Sequence, residues 1–191
     1  MLYCIQVRVG SEKITIDECK KVIHSYLIND VYAPMRKESF KYRGSWTEKE
    51  KILFPGYVFV ETDDIFNFHY ELKKINHFTS LIKAGTVPIT VSEDDLYLIN
   101  KLSNKSGVME ISKGYIIGDR IQIVEGPLIG LEGLIVKIDR HKRRAQLETQ
   151  LFGRTQSIEV GLEITKKIRK EKRTPIVCYK DASDREAHSW D

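Results

Sequence analysis

Residues 118–164, GDRIQIVEGPLIGLEGLIVKIDRHKRRAQLETQLFGRTQSIEVGLEI, decide the fold of the second half of the chain. The centre of this stretch, Val124 to Gly133, places Gly126, Pro127, Gly130 and Gly133 in one short window. Glycine tolerates positive φ and proline pre-sets its own φ, so this spacing specifies tight turns. Ile121 and Ile123 alternate with polar residues on one side of the window, and Leu134, Val136 and Ile138 on the other. A period of two marks half-buried strands. Short strands between dense turn signals predict a small β-barrel over 118–167.

The first half mixes two periods. Residues 2–8, LYCIQVR, alternate as a strand that Gly10-Ser11 ends. Ser11 is positioned to cap a helix whose apolar stripe is Ile16, Cys19, Val22, Ile23, Tyr26 and Leu27. Asn29-Asp30 turns the chain into a short strand stopped by Pro34. The polar run 35–53, with Tyr42, Trp46 and the Arg43-Gly44-Ser45 turn, predicts an exposed β-hairpin. Phe54-Pro55-Gly56 then enters the β-forming run Tyr57-Val58-Phe59-Val60-Glu61-Thr62. A helix is expected from about Asp63 to Lys74 with Ile65, Phe66, Tyr70 and Leu72 inward. Short strands follow near Ser80–Ile82 and Val87–Val91. Ser92 and Asp95 begin a last helix carried by Leu96, Ile99 and Leu102. The fold class is therefore α+β. A sheet-and-helix sandwich occupies 1–105, a linker 106–117, the barrel 118–167, and a charged tail 168–191.

The chain has 191 residues, a formal net charge of +4, and 30% charged residues. No apolar run is long enough to span a bilayer. The N-terminus opens on a strand pattern rather than a secretory signal, so the expected location is the cytoplasm. Cys4, Cys19 and Cys178 lack CxxC spacing and read as buried small hydrophobes rather than a disulfide or zinc framework. The five histidines have no metal-ligand spacing, and no P-loop, dinucleotide fingerprint or GxSxG is present, so neither an enzyme nor a cofactor is expected. Basic charge is clustered: Arg140-His141-Lys142-Arg143-Arg144 lies inside the barrel stretch, and a second run begins at Lys166-Lys167. Clusters of this kind suit a polyanion even where the net charge is mild.

The glycine window with Gly126-Pro127 and Gly133 resembles the KOW motif, which implies an SH3-like β-barrel of the kind found in transcription elongation factors and some ribosomal proteins. With Tyr3-Cys4-Ile5-Gln6-Val7, Phe54-Pro55-Gly56-Tyr57-Val58-Phe59-Val60, Leu151-Phe152-Gly153-Arg154 and Ile158-Glu159-Val160, the chain resembles the NusG family over about residues 2–165. Within it, Ile138–Ala145 and Gly161-Leu162-Glu163-Ile164 are similar to the LoaP branch, specialised antiterminators of selected operons. The resemblance implies an NGN-type N-terminal domain that docks on the clamp coiled coil of RNA polymerase. It also implies association with the nucleoid during transcription, as a monomer with no membrane partner. A LoaP-type member would be recruited by a hairpin in the nascent leader RNA. A housekeeping elongation factor and a ribosomal RNA-binding protein are the rival readings. The FPGYVFV run speaks against the ribosomal one and the basic turn against the housekeeping one.

Residues two apart on a strand share a face, so Tyr57 and Phe59 point one way and Val58 and Val60 the other. By pattern alone, the two rings beside Phe54 and Pro55 either anchor an apolar partner or fill a second core layer. The resemblance favours polymerase docking, with Gln6 as a polar companion. Arg140, His141, Lys142, Arg143 and Arg144 fall where one barrel strand reverses into the next. They suit gripping RNA phosphates and stacking on bases, against the alternative of a solvated turn. Lys166 and Lys167 are candidates to extend that patch. Phe152 occupies the position where the family meets a ribosomal protein or a termination factor, although a Phe between strands is more often core.

Overall fold

The computed structural model describes residues 1–103 and 107–168. The strands of the N-terminal half are β1 (Leu2–Val7), β2 (Asp30–Tyr32), β3 (Met35–Tyr42), β4 (Ser45–Ile52), β5 (Tyr57–Glu61), β6 (Thr79–Leu81), β7 (Lys83–Ala84), β8 (Val87–Pro88) and β9 (Val108–Met109). Its helices are α1 (Glu12–Val22), α2 (Ile65–Leu72) and α3 (Glu93–Leu102). The second half holds β10 (Ser112–Ile117), β11 (Arg120–Glu125), β12 (Ile135–Asp139), β13 (Arg144–Leu151) and β14 (Arg154–Ile168). Among the described residues no helix is long and apolar enough to cross a membrane.

The central N-terminal sheet has the order β2-β5-β1-β6. Cys4 pairs with Phe59 and Ile5 with Val58 across the β1–β5 ladder, so side chains sort by parity onto the two faces. Tyr3, Ile5, Val7, Val58 and Val60 form one core with Cys19, Ile23 and Leu27 and with Ile65, Phe68 and Leu72 of α2. The opposite face carries Cys4 and Phe59 into a second cluster shared with the barrel. The buried carboxylate of Glu12 ties helix to sheet by accepting from the backbone N–H of Gly10 (2.8 Å) and Gly56 (2.6 Å).

The barrel sheet has the order β11-β10-β14-β13-β12, with β10 and β14 parallel. Its interior holds Ile123, Leu128, Ala145, Leu147, Leu151, Ile158, Val160 and Leu162. Gly126 has φ +99°, and a Cβ there would lie 2.6 Å from Ser112 Oγ and 2.7 Å from Ser112 Cα. The buried Ser112 hydroxyl accepts from the Leu128 N–H at 3.1 Å, so the glycine window is pinned against the first barrel strand. Gly126→Ala is expected to cost about 1–3 kcal/mol from backbone strain, more if Ser112 is displaced. An unchanged denaturation midpoint would show that the window is not under this constraint.

Several local expectations are corrected. In α2 the inward residues are Ile65, Phe68 and Leu72, while Phe66 and Tyr70 are exposed. The Asp64 side chain, accepting from Asn67 N, starts that helix. Helix α1 ends at Val22, so Val22 and Tyr26 leave the buried stripe and face solvent. Ser11 occupies the N-cap position without a side-chain capping bond. In α3 Leu98 joins Ile99 and Leu102 in the core, and Leu96 is only half-buried. Val136 is exposed because β12 has a register shift between Ile135 and Lys137, which breaks the simple alternation.

Within the segment expected to be a linker, 106–117, two described stretches are strands. Val108–Met109 pair with β3, and Ser112–Ile117 form the barrel strand between β11 and β14. The hairpin of β3 and β4 turns at Arg43 and Gly44, both with positive φ. Its turn and β4 are largely exposed as expected, but β3 buries Arg36, Glu38 and Ser39. The tail expected over 168–191 lies outside the described residues beyond Ile168, and so does Cys178.

Candidate functional site: an aromatic face and a basic turn

Strand β5 places Phe59 on the sheet face opposite α1 and α2, as the period of two requires, in a cluster with Leu98, Ile99 and Leu102 of α3. The face is not open, however. Phe59 is fully buried and Phe54 nearly so, Tyr57 is half-buried, and only Pro55 is exposed. Phe59 stacks with Tyr32 at 5.8 Å between centroids and meets the edge of Phe54 at 6.0 Å. The cover is the β13–β14 turn, where Phe152 and Gly153 both adopt positive φ. Phe152 lies 5.3 Å from the Tyr57 ring and 6.1 Å from the Phe59 ring. Two hydrogen bonds fix this plug. Gln156 Nε2 donates to the Tyr57 hydroxyl at 2.8 Å, and Asp95 Oδ2 accepts from the Phe152 N–H at 3.2 Å. Gln6, on the neighbouring strand, is half-buried.

A second contact joins the halves at the hairpin. Glu38 of β3 is fully buried. Its carboxylate meets Arg36 Nη1 at 3.1 Å, Lys51 Nζ at 3.1 Å and Lys49 Nζ at 3.7 Å, and pairs with Arg144 of the barrel. Glu159 of β14 completes the cluster, accepting from Arg36 Nη2 at 3.2 Å and Arg144 Nη1 at 3.0 Å. Beside it, the Arg143 guanidinium sits 4.0 Å over the Trp46 ring and pairs with Glu163 at 3.3 Å. A Cβ on Gly161 would come within 2.8 Å of the Lys37 carbonyl oxygen, so the two backbones touch here because residue 161 is glycine.

Burial works to raise the Glu38 pKa, but the Lys51 hydrogen bond and the charges of Arg144, Lys51 and Arg36 outweigh it and hold the carboxyl below its ordinary value. The stabilisation this group contributes is therefore present above the ordinary carboxylate pKa and lost as pH falls through the lowered one. Acidification should weaken the contact, not strengthen it.

The sequence profile of the NusG family, "Transcription termination factor nusG", matches residues 2–100. The chain belongs to the NusG family. A transcription termination/antitermination protein NusG of Rickettsia conorii is 25% identical over 170 residues, covering 86% of this chain and 88% of the relative. Its counterpart in Borreliella burgdorferi is 26% identical over 155 residues, covering 74% and 82%. A solved structure of the domain interaction in Thermotoga maritima NusG aligns over 84% of this chain and 92% of that one, with a TM-score of 0.52 at 19% identity. That likeness supports the fold: an NGN-type sheet-and-helix domain followed by a KOW-type β-barrel.

In this NusG-family chain the basic turn divides into two groups. Arg140, His141 and Lys142 are exposed, with Asp139 Oδ1 accepting from the Lys142 N–H at 3.0 Å to shape the turn. Arg143 and Arg144 are half-buried and held by the N-terminal half. Lys166 and Lys167 are exposed on β14 but do not adjoin the turn. Arg144 pairs with Gly161, and Lys166 lies five residues farther along, roughly 16 Å of strand. The sequence reading missed Glu38, Arg36, Trp46, Gln156 and Asp95. Only Trp46 carried a signal, as a large aromatic in an otherwise polar hairpin. Cys4 and Cys19 are buried, as read from the sequence. Burial, with Glu18 adding to it, pushes the Cys19 thiol up to about 12, so it stays protonated.

Proposed function

We propose that this NusG-family chain is a non-catalytic transcription elongation and antitermination factor. It docks on RNA polymerase through Phe54, Pro55, Tyr57, Phe59 and Gln6. It is recruited to its operon by a nascent RNA hairpin through Arg140, His141, Lys142, Arg143 and Arg144. The observation that carries this reading is the face of β5. Its rings lie outside the core packed by α1 and α2, which Val58 and Val60 complete on the other side. Within the cluster they share with Leu98, Ile99 and Leu102 of α3, Tyr57 and Phe59 are capped by Phe152 from a turn of the other half. An apolar anchor with a removable cover is what a docking surface needs. The residues 1–105 and the barrel are the two working units. Phe152 is both the cover and the barrel's own contact for a ribosomal protein or termination factor, so only one of these can engage it at a time.

The test is a pull-down on elongating polymerase with and without a leader RNA hairpin. Binding to polymerase that rises with the hairpin supports the proposal. Binding that ignores the hairpin favours a general NusG-type elongation factor, the reading consistent with matches to NusG proteins over 86% of the chain. No binding in either arm overturns both.

A further inference from the structure

The basic turn and the aromatic face are not independent in this molecule. Two of the five residues proposed to hold RNA are the ones that hold the halves together. Arg144 reaches the fully buried Glu38, and Arg143 lies flat on Trp46 at 4.0 Å. A guanidinium with its face against an indole cannot at the same time stack on a base. One whose two Nη groups are taken by Glu159 and Glu38, and whose Nε is buried, offers no fork to a phosphate in this arrangement. Arg140, His141 and Lys142 stay exposed and can meet RNA first, while Arg143 and Arg144 can join only by leaving the hairpin.

Resting on the RNA-binding reading above, we propose that RNA capture and domain closure compete for Arg143 and Arg144, so that the hairpin RNA itself unlatches the barrel from the polymerase face. The exposed end of the turn captures the phosphate backbone. Transfer of Arg143 and Arg144 to the RNA removes the cation–π contact with Trp46 and one of the four cations around Glu38. The Phe152 plug then remains with two hydrogen bonds and two ring contacts, to Tyr57 and Phe59, and its release uncovers the Tyr57 side of that face. Competition is reciprocal: whatever loosens closure must tighten RNA binding, even at a residue that never touches RNA. Gly161 and Phe152 are such positions. A Val at 161 cannot coexist with the Lys37 carbonyl in the closed arrangement, although the φ of Gly161 is one that a side chain tolerates.

The experiment uses the full chain with Trp190→Phe, which leaves Trp46 as the sole indole. A short RNA stem–loop is the probe. Gel shift reports binding, and acrylamide quenching of Trp46 reports the departure of Arg143. Bound RNA is expected to raise Trp46 quenching. Gly161→Val is expected to raise it without RNA and to bind the stem–loop at least about fivefold tighter. Phe152→Ala, which also leaves the charge unchanged, should do the same, and circular dichroism confirms that both variants are folded. If RNA binds while Trp46 quenching is unchanged and neither variant binds more tightly, the competition is overturned and RNA binding stands. If neither wild type nor the opened variants shift the stem–loop, the RNA-binding reading falls and the inference with it.

Discussion

Phe59→Ala is expected to destabilise the full chain by about 3–5 kcal/mol, the range for emptying a fully buried Phe site. The ring is entirely enclosed, with Tyr32, Phe54 and Phe152 around it. Tyr57→Ala should cost much less, because that ring is half-buried and its hydroxyl can exchange Gln156 for water. The contrast separates packing from docking. If the face is a docking surface, Tyr57→Ala weakens polymerase binding while the denaturation midpoint hardly moves. Because closure buries the same rings, part of the Phe59 loss should vanish in a fragment of residues 1–105. That fragment keeps its helix-packed core intact, built wholly from residues between Tyr3 and Leu81. Denaturant unfolding of both lengths measures this. An equal loss in fragment and full chain would mean that Phe152 contributes nothing to holding Phe59.

How far the sequence could carry these conclusions depended on whether the deciding signal was local. Strand parity in Tyr57–Val60 is local, and it assigned the valines to the helices and the rings to the other face correctly. The glycine window is local too: Gly126 must take φ +99° against Ser112, a demand few other residues meet. Helix α2 was ambiguous because two stripes compete in it. Ile65, Phe68 and Leu72 make one, Phe66 and Tyr70 the other, and only the sheet above decides which is buried. Strand β10 was hidden because its partners are non-local. It lies parallel to β14, about fifty residues later, and Ser112-Lys113-Gly114 reads as linker in isolation. The Glu38 cluster was illegible for the same reason. A glutamate in a polar hairpin becomes a buried ion-pair hub only when Arg144 arrives from 106 residues away.

Changing Arg140, Lys142, Arg143 and Arg144 together to Ala is expected to abolish binding to a cognate RNA hairpin while leaving polymerase docking at least as strong. Each lost phosphate contact should flatten the salt dependence by nearly one unit on duplex-like RNA, so the residual binding should be far less salt-sensitive than the wild type. The structure divides the four further. Arg140→Ala with Lys142→Ala removes only exposed charge, so RNA affinity should drop while Trp46 quenching stays at the wild-type level. Arg143→Ala with Arg144→Ala removes RNA contacts and the latch together. RNA affinity should fall, Trp46 quenching should rise as Arg143 no longer covers one face of the ring, and polymerase docking should strengthen because the cover is looser. Glu38 then keeps Arg36, Lys49 and Lys51, and it reaches solvent once the barrel leaves, so the N-terminal half should remain folded. A gel-shift salt titration, Trp46 quenching and a polymerase pull-down on the two pairs decide the matter. Identical behaviour of the two pairs in all three measurements would show that the turn acts as one undivided patch, with no part in closure.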